Sequence, residues 1–491
     1  MNKPLLSAAS AAARYGLVAV LGAGFSVAQA AQPTPANPTT GPVVKEEPAK
    51  LEKFEVTGSR IKRLDLETPA PVQTFTVENI EAKGYTNIGD FIQALPFNSG
   101  GANSIYQTAS FTRGAATANP RGLGSNRFLV LINGRRAITY GLTNSNNNSV
   151  FDFNSIPPSA IESIEYLKDG ASAIYGSDAV TGVLNIKLKR NFSGLTVSSL
   201  YGNTLDHDSG FVHVNALIGT GTGKTKAMVA LDYKTQNSNF LRDYGRTTTD
   251  YSDLGTNKGA NLNSSLNWPA NLSLTAAQAT PLGLTAGTYV IRGGTPTPNP
   301  TLASFQQVAV LPNENRYNFA QTYQRYPAYD YASAYTSFEH EFTDSLTAFA
   351  EIMYSNNRTY YAFTPGVIQF GPEGLTLPAN SPYNPFRIPL TSLLGRTNFG
   401  PVRKFDTDSN SSSFLGGVRG TVLNRWNWEV AAAYGQNQVA SVARNAIRAT
   451  TYQAALNGTL SGFTNSFFNP FGPSANPELE KALFTSSSSM N

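Results

Sequence analysis

From Gly194 onward the sequence is a succession of alternating runs joined by connections that are short and long by turns. Leu195, Val197, Ser199 and Tyr201 alternate with Thr196, Ser198 and Leu200; Val212, Val214, Ala216 and Ile218 share one face of the next run, and Ala227, Val229, Leu231 and Tyr233 one face of the third. Tyr329 to Phe342 pairs with Leu346 to Asn356 across Thr343-Asp344-Ser345, and SSSFLGGVRGTVLNRWNWEVAAAYGQNQV repeats the device across Leu423 to Trp426. Most of these runs reach the roughly 9 to 11 residues that a transmembrane strand needs. The connection Gly219 to Lys224 is also short, whereas Ser238 to about Ala328 and about Tyr361 to Asn410 are long and rich in Asn, Pro, Gly and Tyr. Short turns at one end and long loops at the other are the build of a membrane β-barrel. A secreted β-sandwich alternates too, but seldom carries a loop of roughly 90 residues.

Composition agrees. Of 491 residues only 14% are charged, while Gly (42), Tyr (23) and Phe (28) are plentiful, as in a β protein that exposes apolar surface to something other than water. At the N-terminus, Lys3 and Arg14 precede an apolar run from Tyr15 to Val27, and Ala28-Gln29-Ala30 offers small residues for cleavage, so residues 1–30 read as a secretory signal peptide. Beyond it no run of about 18 apolar residues occurs, so any span must be made of strands. The chain has no Cys, which excludes disulfides, thiolate ligands and a Cys nucleophile. Its three His (His207, His213, His340) are scattered, so neither a His-based metal site nor a catalytic triad is expected; no cofactor is expected either. The formal net charge of +5 includes residues of the signal and implies no nucleic-acid partner.

Between Leu64 and Arg190 the pattern is different. Ile88, Phe91, Ile92 and Leu95 recur at helical spacing, with Thr86 as N-cap and Pro96 as stop. RFLVLINGRR (Arg127 to Arg136) is an apolar strand ending in Asn133-Gly134, the pair best suited to a tight hairpin turn. Pro157-Pro158-Ser159 opens a short helix, with Ser159 and Glu162 at capping-box spacing and Ile161 and Ile164 facing inward. A small-residue turn, Gly170 to Gly176, leads to the strand Gly182 to Lys189. These make an α+β domain of ordinary size.

Three of these stretches together resemble a known family. NPRGLGSNRFLVLINGRRAITYG and IPPSAIESIEYLKDGASAIYGSDAVTGVLNIKLKR are similar to the plug domain of TonB-dependent outer-membrane transporters, and EKFEVTGSR (Glu52 to Arg60) resembles the segment the family calls the TonB box. The resemblance is tight over Lys50 to Arg190 and extends to the remainder only in pattern. It implies an α+β plug domain (64–190) followed by antiparallel transmembrane β-barrel strands (194–491), behind the signal peptide (1–30) and a Pro-rich linker bearing the box (31–63).

About seven barrel strands can be counted, and Ser441 to Asn491 reads as one more outward loop. Bacterial single-chain barrels have an even number of strands, transporters of this size class about 22. The expectation is therefore an incomplete barrel, the N-terminal part of a longer transporter. GTGTGKT (Gly219 to Thr225) imitates a phosphate loop, but Ile218 stands where the first Gly is required, and the stretch joins two strands. Asp206 with Asp208, and Asp406 with Asp408, read as solvated loop pairs, not acid/base catalysts.

The resemblance implies active uptake of a scarce solute across the bacterial outer membrane, with no enzymatic activity. The outer-membrane lipid, an extracellular small molecule or oligosaccharide, and periplasmic TonB would be the partners. TonB would pair by strand addition with Phe54, Glu55, Val56, Thr57 and Gly58. Alignment with the family's plug apices assigns ligand contact to Arg121, Arg136, Thr139 and Tyr140. The solute's class stays open among ferric siderophore, cobalamin, oligosaccharide and peptide. The alternative readings are a non-functional truncated receptor, and a passive barrel or adhesin without TonB coupling. An antibody against residues 64–190 is expected to detect, in the native outer-membrane fraction, a band about twice the size of this chain; a band at the chain's own size would contradict the longer-transporter reading.

Overall fold

The computed structural model describes residues 72–490, apart from 78–79, 81–82, 86, 99–101, 107–109, 145, 169–171, 206–208, 245–249, 252–260 and 424. The signal peptide, the linker and the box at Phe54 to Gly58 therefore lie outside the described residues, as does Thr86.

The first layer is a five-stranded mixed sheet. Its strands are β1 (Val72–Thr76), β2 (Leu129–Ile132), β3 (Arg135–Arg136), β4 (Ile161–Leu167) and β5 (Val183–Leu188), in the spatial order β1-β4-β5-β2-β3. β2 runs parallel to β5, and the other pairs are antiparallel. The Asn133-Gly134 turn between β2 and β3 has both residues at positive φ (49° and 78°), as the tight hairpin requires. Asn133 does more than turn the chain. Its backbone N–H donates to Ile186 O (2.9 Å), its Oδ1 accepts from Leu188 N (2.8 Å), and its Nδ2 donates to Glu351 Oε2 (2.8 Å) in the second layer. Asn185, polar and buried in the central strand, is explained by the same turn, since its Oδ1 accepts from Gly134 N at 2.9 Å.

Helix α1 (Ile88–Gln93) buries Ile88, Phe91 and Ile92, as their spacing predicts. Its N-cap is Asn87, one residue after the expected Thr86: the Asn87 Oδ1 accepts from Asp90 N at 2.7 Å. The expected helix after Pro157-Pro158 is instead a single 3-10 turn, Pro158–Ala160, followed by β4. A register shift between Ile161 and Ser163 explains the error. It brings Ile161 and Ile164 to the core side of a strand three residues apart, which imitates helical spacing.

The second layer is an eight-stranded antiparallel sheet in chain order: β6 (Gly194–Gly202), β7 (Phe211–Thr222), β8 (Thr225–Gln236), β9 (Ala328–Thr343), β10 (Leu346–Ala362), β11 (Lys404–Val422), β12 (Trp426–Ile447) and β13 (Phe484–Met490). The sheet is open, with β6 and β13 at its edges. Against the seven strands expected, the described residues hold eight, and Ser441 to Asn491 is not a loop throughout. β12 continues to Ile447, and Phe484–Met490 returns to pair with it. The last strand escaped notice because Thr-Ser-Ser-Ser-Ser carries no apolar alternation. GTGTGKT falls in the β7–β8 hairpin, where Thr222 faces Thr225 across a two-residue turn.

Alternation sorts the two faces of this wall. Tyr329, Tyr331, Ser333, Tyr335 and Ser337 of β9 point inward with Met353, Ser355, Asn357, Thr359 and Tyr361 of β10, while Phe338, Ile352, Tyr354, Phe414, Val430 and Tyr434 are exposed on the other face. Beyond the apolar band toward the long loops, the outer face becomes polar, with ion pairs Arg358–Asp408 (3.0 Å) and Arg444–Asp406 (2.7 Å). At 22 residues, β12 can span about 70 Å, more than twice the thickness of a hydrocarbon core of about 30 Å. No helix among the described residues is long and apolar enough to cross a membrane.

The long loops are not structureless. Residues from three of them build a cap with its own core, around five short antiparallel strands in the order Phe305–Val308, Gly287–Ile291, Asn271–Leu274, Leu393–Arg396 and Val367–Gln369. Two copies of one tetrapeptide pattern close that core: Tyr383-Asn384-Pro385-Phe386 and Phe468-Asn469-Pro470-Phe471. In each, the Asn side chain is fully buried and its Oδ1 accepts from the Phe N–H two residues on, at 3.1 and 2.9 Å. Each amide nitrogen then donates to backbone carbonyls, Asn384 to Ile388 O (2.7 Å) and Asn469 to Thr297 O (2.9 Å). Phe386 and Phe471 both meet Phe305 edge-on at 5.0 Å between ring centres. Replacing Asn469 by Ala leaves a buried N–H and a buried C=O unpaired, a loss of about 2 kcal/mol locally. Amide exchange at Phe471 is expected to accelerate roughly 30-fold, with β9 to β12 unchanged.

Candidate functional site

The concave face of the wall is occupied by the first layer. Phe75, Phe91, Phe128, Phe153, Ile164 and Leu184 share one hydrophobic cluster with Leu217, Met228, Ala230, Tyr335 and Met353 of the wall. At the short-turn end the attachment is ionic: Arg135 pairs with Glu429, and Arg190 with Glu351 (Nε to Oε1, 3.2 Å). Midway, Ser159 Oγ donates to Asp232, whose other oxygen meets His213 Nε2 at 3.1 Å.

At the long-loop end the attachment is through backbone. Asn357 Nδ2 donates to Gly114 O (2.7 Å), Gly114 N donates to Tyr361 Oη (3.0 Å), and Tyr361 Oη donates to Ile105 O (2.7 Å). Gly114 sits at φ 83°, and a Cβ there would lie 2.8 Å from Thr359 Oγ1, so the segment can approach the wall only as glycine. Gly141 repeats the device against β12, its N–H donating to Asn437 Oδ1 at 2.7 Å.

Beneath this apex lies Asp152. Its Oδ1 accepts from the amides of Ala116 (2.9 Å) and Asn154 (3.0 Å), fastening the two apex segments to each other. Burial pushes its carboxyl up from 3.8 to about 7, with those amides and Asn357 acting in the opposite direction.

The residues assigned to ligand contact do not gather round one cavity. Arg121, at φ 58°, extends its Nη2 to Lys168 O (3.2 Å) and lines a cleft of about 370 Å³ with Phe97 and Tyr166. Arg136 pairs with Asp178 (2.6 Å) and donates to Tyr175 O (2.6 Å), beside a cavity of about 180 Å³ between the two layers. Thr139 is exposed. Tyr140 is buried against Ala115, Val150 and Val439, and its Oη donates to Arg113 O at 2.6 Å. A larger opening, about 630 Å³, lies among Asn103, Phe111, Asn119, Asn126, Arg127 and Asn148. Gly114, Asp152, Asn357 and Tyr361 carry no local pattern that reveals their role, because each is defined by a partner far away in the chain.

An α+β domain seated on the polar concave face of long antiparallel strands defines a plugged membrane-wall protein. Residues 65–183 match the family model of the TonB-dependent Receptor Plug Domain, so the chain carries a TonB-dependent receptor plug. Solved structures similar to this chain include a mutant of the ferric enterobactin receptor PfeA of Pseudomonas aeruginosa (14% identity, 77% of this chain and 46% of that one, TM-score 0.38). Others are the siderophore receptor PiuA of Acinetobacter baumannii (14%, 78% and 48%, 0.37) and the alcaligin outer-membrane receptor FauA of Bordetella pertussis (11%, 79% and 44%, 0.39). The chain spans about half the length of these structures.

The raised Asp152 carboxyl has a consequence for stability. The folded state holds its proton up to about pH 7 and the unfolded state only to 3.8, so more protons are bound folded than unfolded between those values and stability falls as pH rises through that window. Asp152→Asn keeps the Oδ1 acceptor and removes the charge. The variant is expected to melt at a higher temperature than the parent at pH 8 and at the same temperature at pH 4.

Proposed function

We propose that the protein is the ligand-binding and gating part of an outer-membrane receptor that takes up a scarce solute by TonB-dependent active transport. The observation that carries this reading is the plug itself, a domain matching the TonB-dependent receptor plug at 65–183 and sharing a core with the strands around it. A pore that admits solutes passively has no use for a domain that fills its lumen. In this reading solute settles between the apex of the plug and the cap, where Thr139, Tyr140 and the opening beside Phe111 lie, with Arg121 and Arg136 on the same domain as further contacts. Phe54 to Gly58 then reaches the periplasm and adds as a strand to TonB, whose pull remodels the plug. At the apex the plug is held to the wall by separate hydrogen bonds and two small apolar clusters, so a pull can break them one after another.

The test is uptake by cells producing the protein with residues 52–60 deleted. Binding at the cell surface should persist, while energised uptake falls to the level of cells lacking the gene. Uptake that is unchanged by the deletion would favour a passive barrel, and the coupling to TonB would have to be abandoned.

A further inference from the structure

Where the plug meets the cap, three arginines stand in sequence without a carboxylate. Arg113 of the plug lies over the Phe405 ring at 4.0 Å, and Arg403 lies over Phe363 at 4.8 Å. The two rings touch edge to face, 6.3 Å between centres. Behind them Arg396 stacks on Tyr317 (4.7 Å) and Phe319 (5.3 Å).

Arg396 is a structural residue. It is buried, and its guanidinium is engaged by Leu266 O (3.1 Å), Thr364 Oγ1 (2.9 Å), Pro365 O (3.1 Å) and Ser264 Oγ (3.2 Å), tying three stretches of the cap together. The other two differ. Arg403 spends one donor, Nε, on Thr364 O at 3.2 Å. The Arg113 guanidinium donates no hydrogen bond to any described residue, and its Nε is buried without a partner. Among the described residues none of the three takes part in an ion pair, although the acids nearby in sequence do: Asp406 is held by Arg444 and Asp408 by Arg358 on the outer face.

A partly buried guanidinium with a buried donor unused is costly, and like-charged neighbours add to the cost. Both effects register here: burial lowers the pKa of Arg113 and of Arg403, and the nearness of Arg113 lowers that of Arg403 further. Yet the backbone just C-terminal to the Arg113 side chain is held firmly, through the Arg113 carbonyl by Tyr140 and at Gly114 by Tyr361 and Asn357. Rings hold the faces of both guanidiniums and leave their edges for an acceptor. Planar forks with fixed faces and free edges suit the two-pronged binding of carboxylate, sulfate or phosphate.

We propose that Arg113 and Arg403 form an oxyanion-binding site at the boundary of plug and cap, and that the solute carries carboxylate, sulfate or phosphate groups. The solute's identity rests on the uptake reading; the binding of an oxyanion does not. Joining plug to cap, a bound anion would report occupancy to the domain that directly follows the box.

The experiment is thermal unfolding of the purified full chain in detergent at constant ionic strength, replacing chloride stepwise by acetate, sulfate or phosphate. At least one of these should raise the midpoint saturably, by ~2 °C or more. Arg113→Gln with Arg403→Gln should abolish the saturable part and leave only the general salting effect, which the double variant measures directly. Arg113→Lys, which keeps the charge and loses the fork, should need at least about 5-fold more anion for half the effect. In chloride alone the double variant should be no less stable than the parent, because it removes unpaired donors. Which anion acts identifies the solute's charged group. A midpoint that no anion moves, or a saturable shift that survives in the double variant, would overturn the site and leave the deletion test of uptake untouched.

Discussion

The polar inner face of the wall is the constraint on which the rest depends. A strand in a membrane must point alternate side chains inward, and here those side chains are Ser, Asn, Thr and Tyr, which need partners or water. The plug supplies both kinds of contact, an apolar cluster on Met228, Tyr335 and Met353 and a set of hydrogen bonds to Asp232, Asn357 and Tyr361. Neither layer is complete alone. The plug shares its largest apolar cluster with the wall, and the polar inward side chains of the wall are buried.

Different physics holds the plug at its two ends. Charge pairs from Arg135 and Arg190 anchor the short-turn end, where the chain passes from plug to first strand. Glycine backbone pressed on Thr359 and Asn437 anchors the long-loop end. Side-chain ion pairs tolerate small displacements, while a backbone seat at van der Waals distance does not. The apex is therefore the end at which position is most tightly fixed, and it is also where Arg113 meets the Phe405 and Phe363 rings beside Arg403.

Much of the plug was legible because its signals are local. Asn133-Gly134 announces a hairpin through its own backbone preference, and α1 through the spacing of Ile88, Phe91 and Ile92. The start of strand β4 imitates a helix because a bulge shifts the register by one, a fact that lies in its pairing with β5 and not in its letters. The cap reads as loop in the sequence because its order comes from Asn384 and Asn469 binding backbone carbonyls, Asn469 those of a segment far away in the chain, so that polar, Pro-rich stretches fold only together. The candidate ligand residues fared differently from the scaffold: Tyr140 turned inward to hold Arg113, while Arg113 itself has nothing in its neighbourhood of sequence to mark it.

The sequence by itself determined that the chain would be a domain followed by membrane strands, because alternation with a period of two and turn residues act within a few positions of one another. It also determined which faces of those strands would be apolar. The tertiary structure alone decided which residues of the plug touch the wall, that three long loops share one core, and that Arg113, Arg403 and Arg396 stand close together without an ion pair among the described residues. Those arrangements join residues up to hundreds of positions apart, and their energy comes from excluding water between surfaces that exist only once both partners have folded.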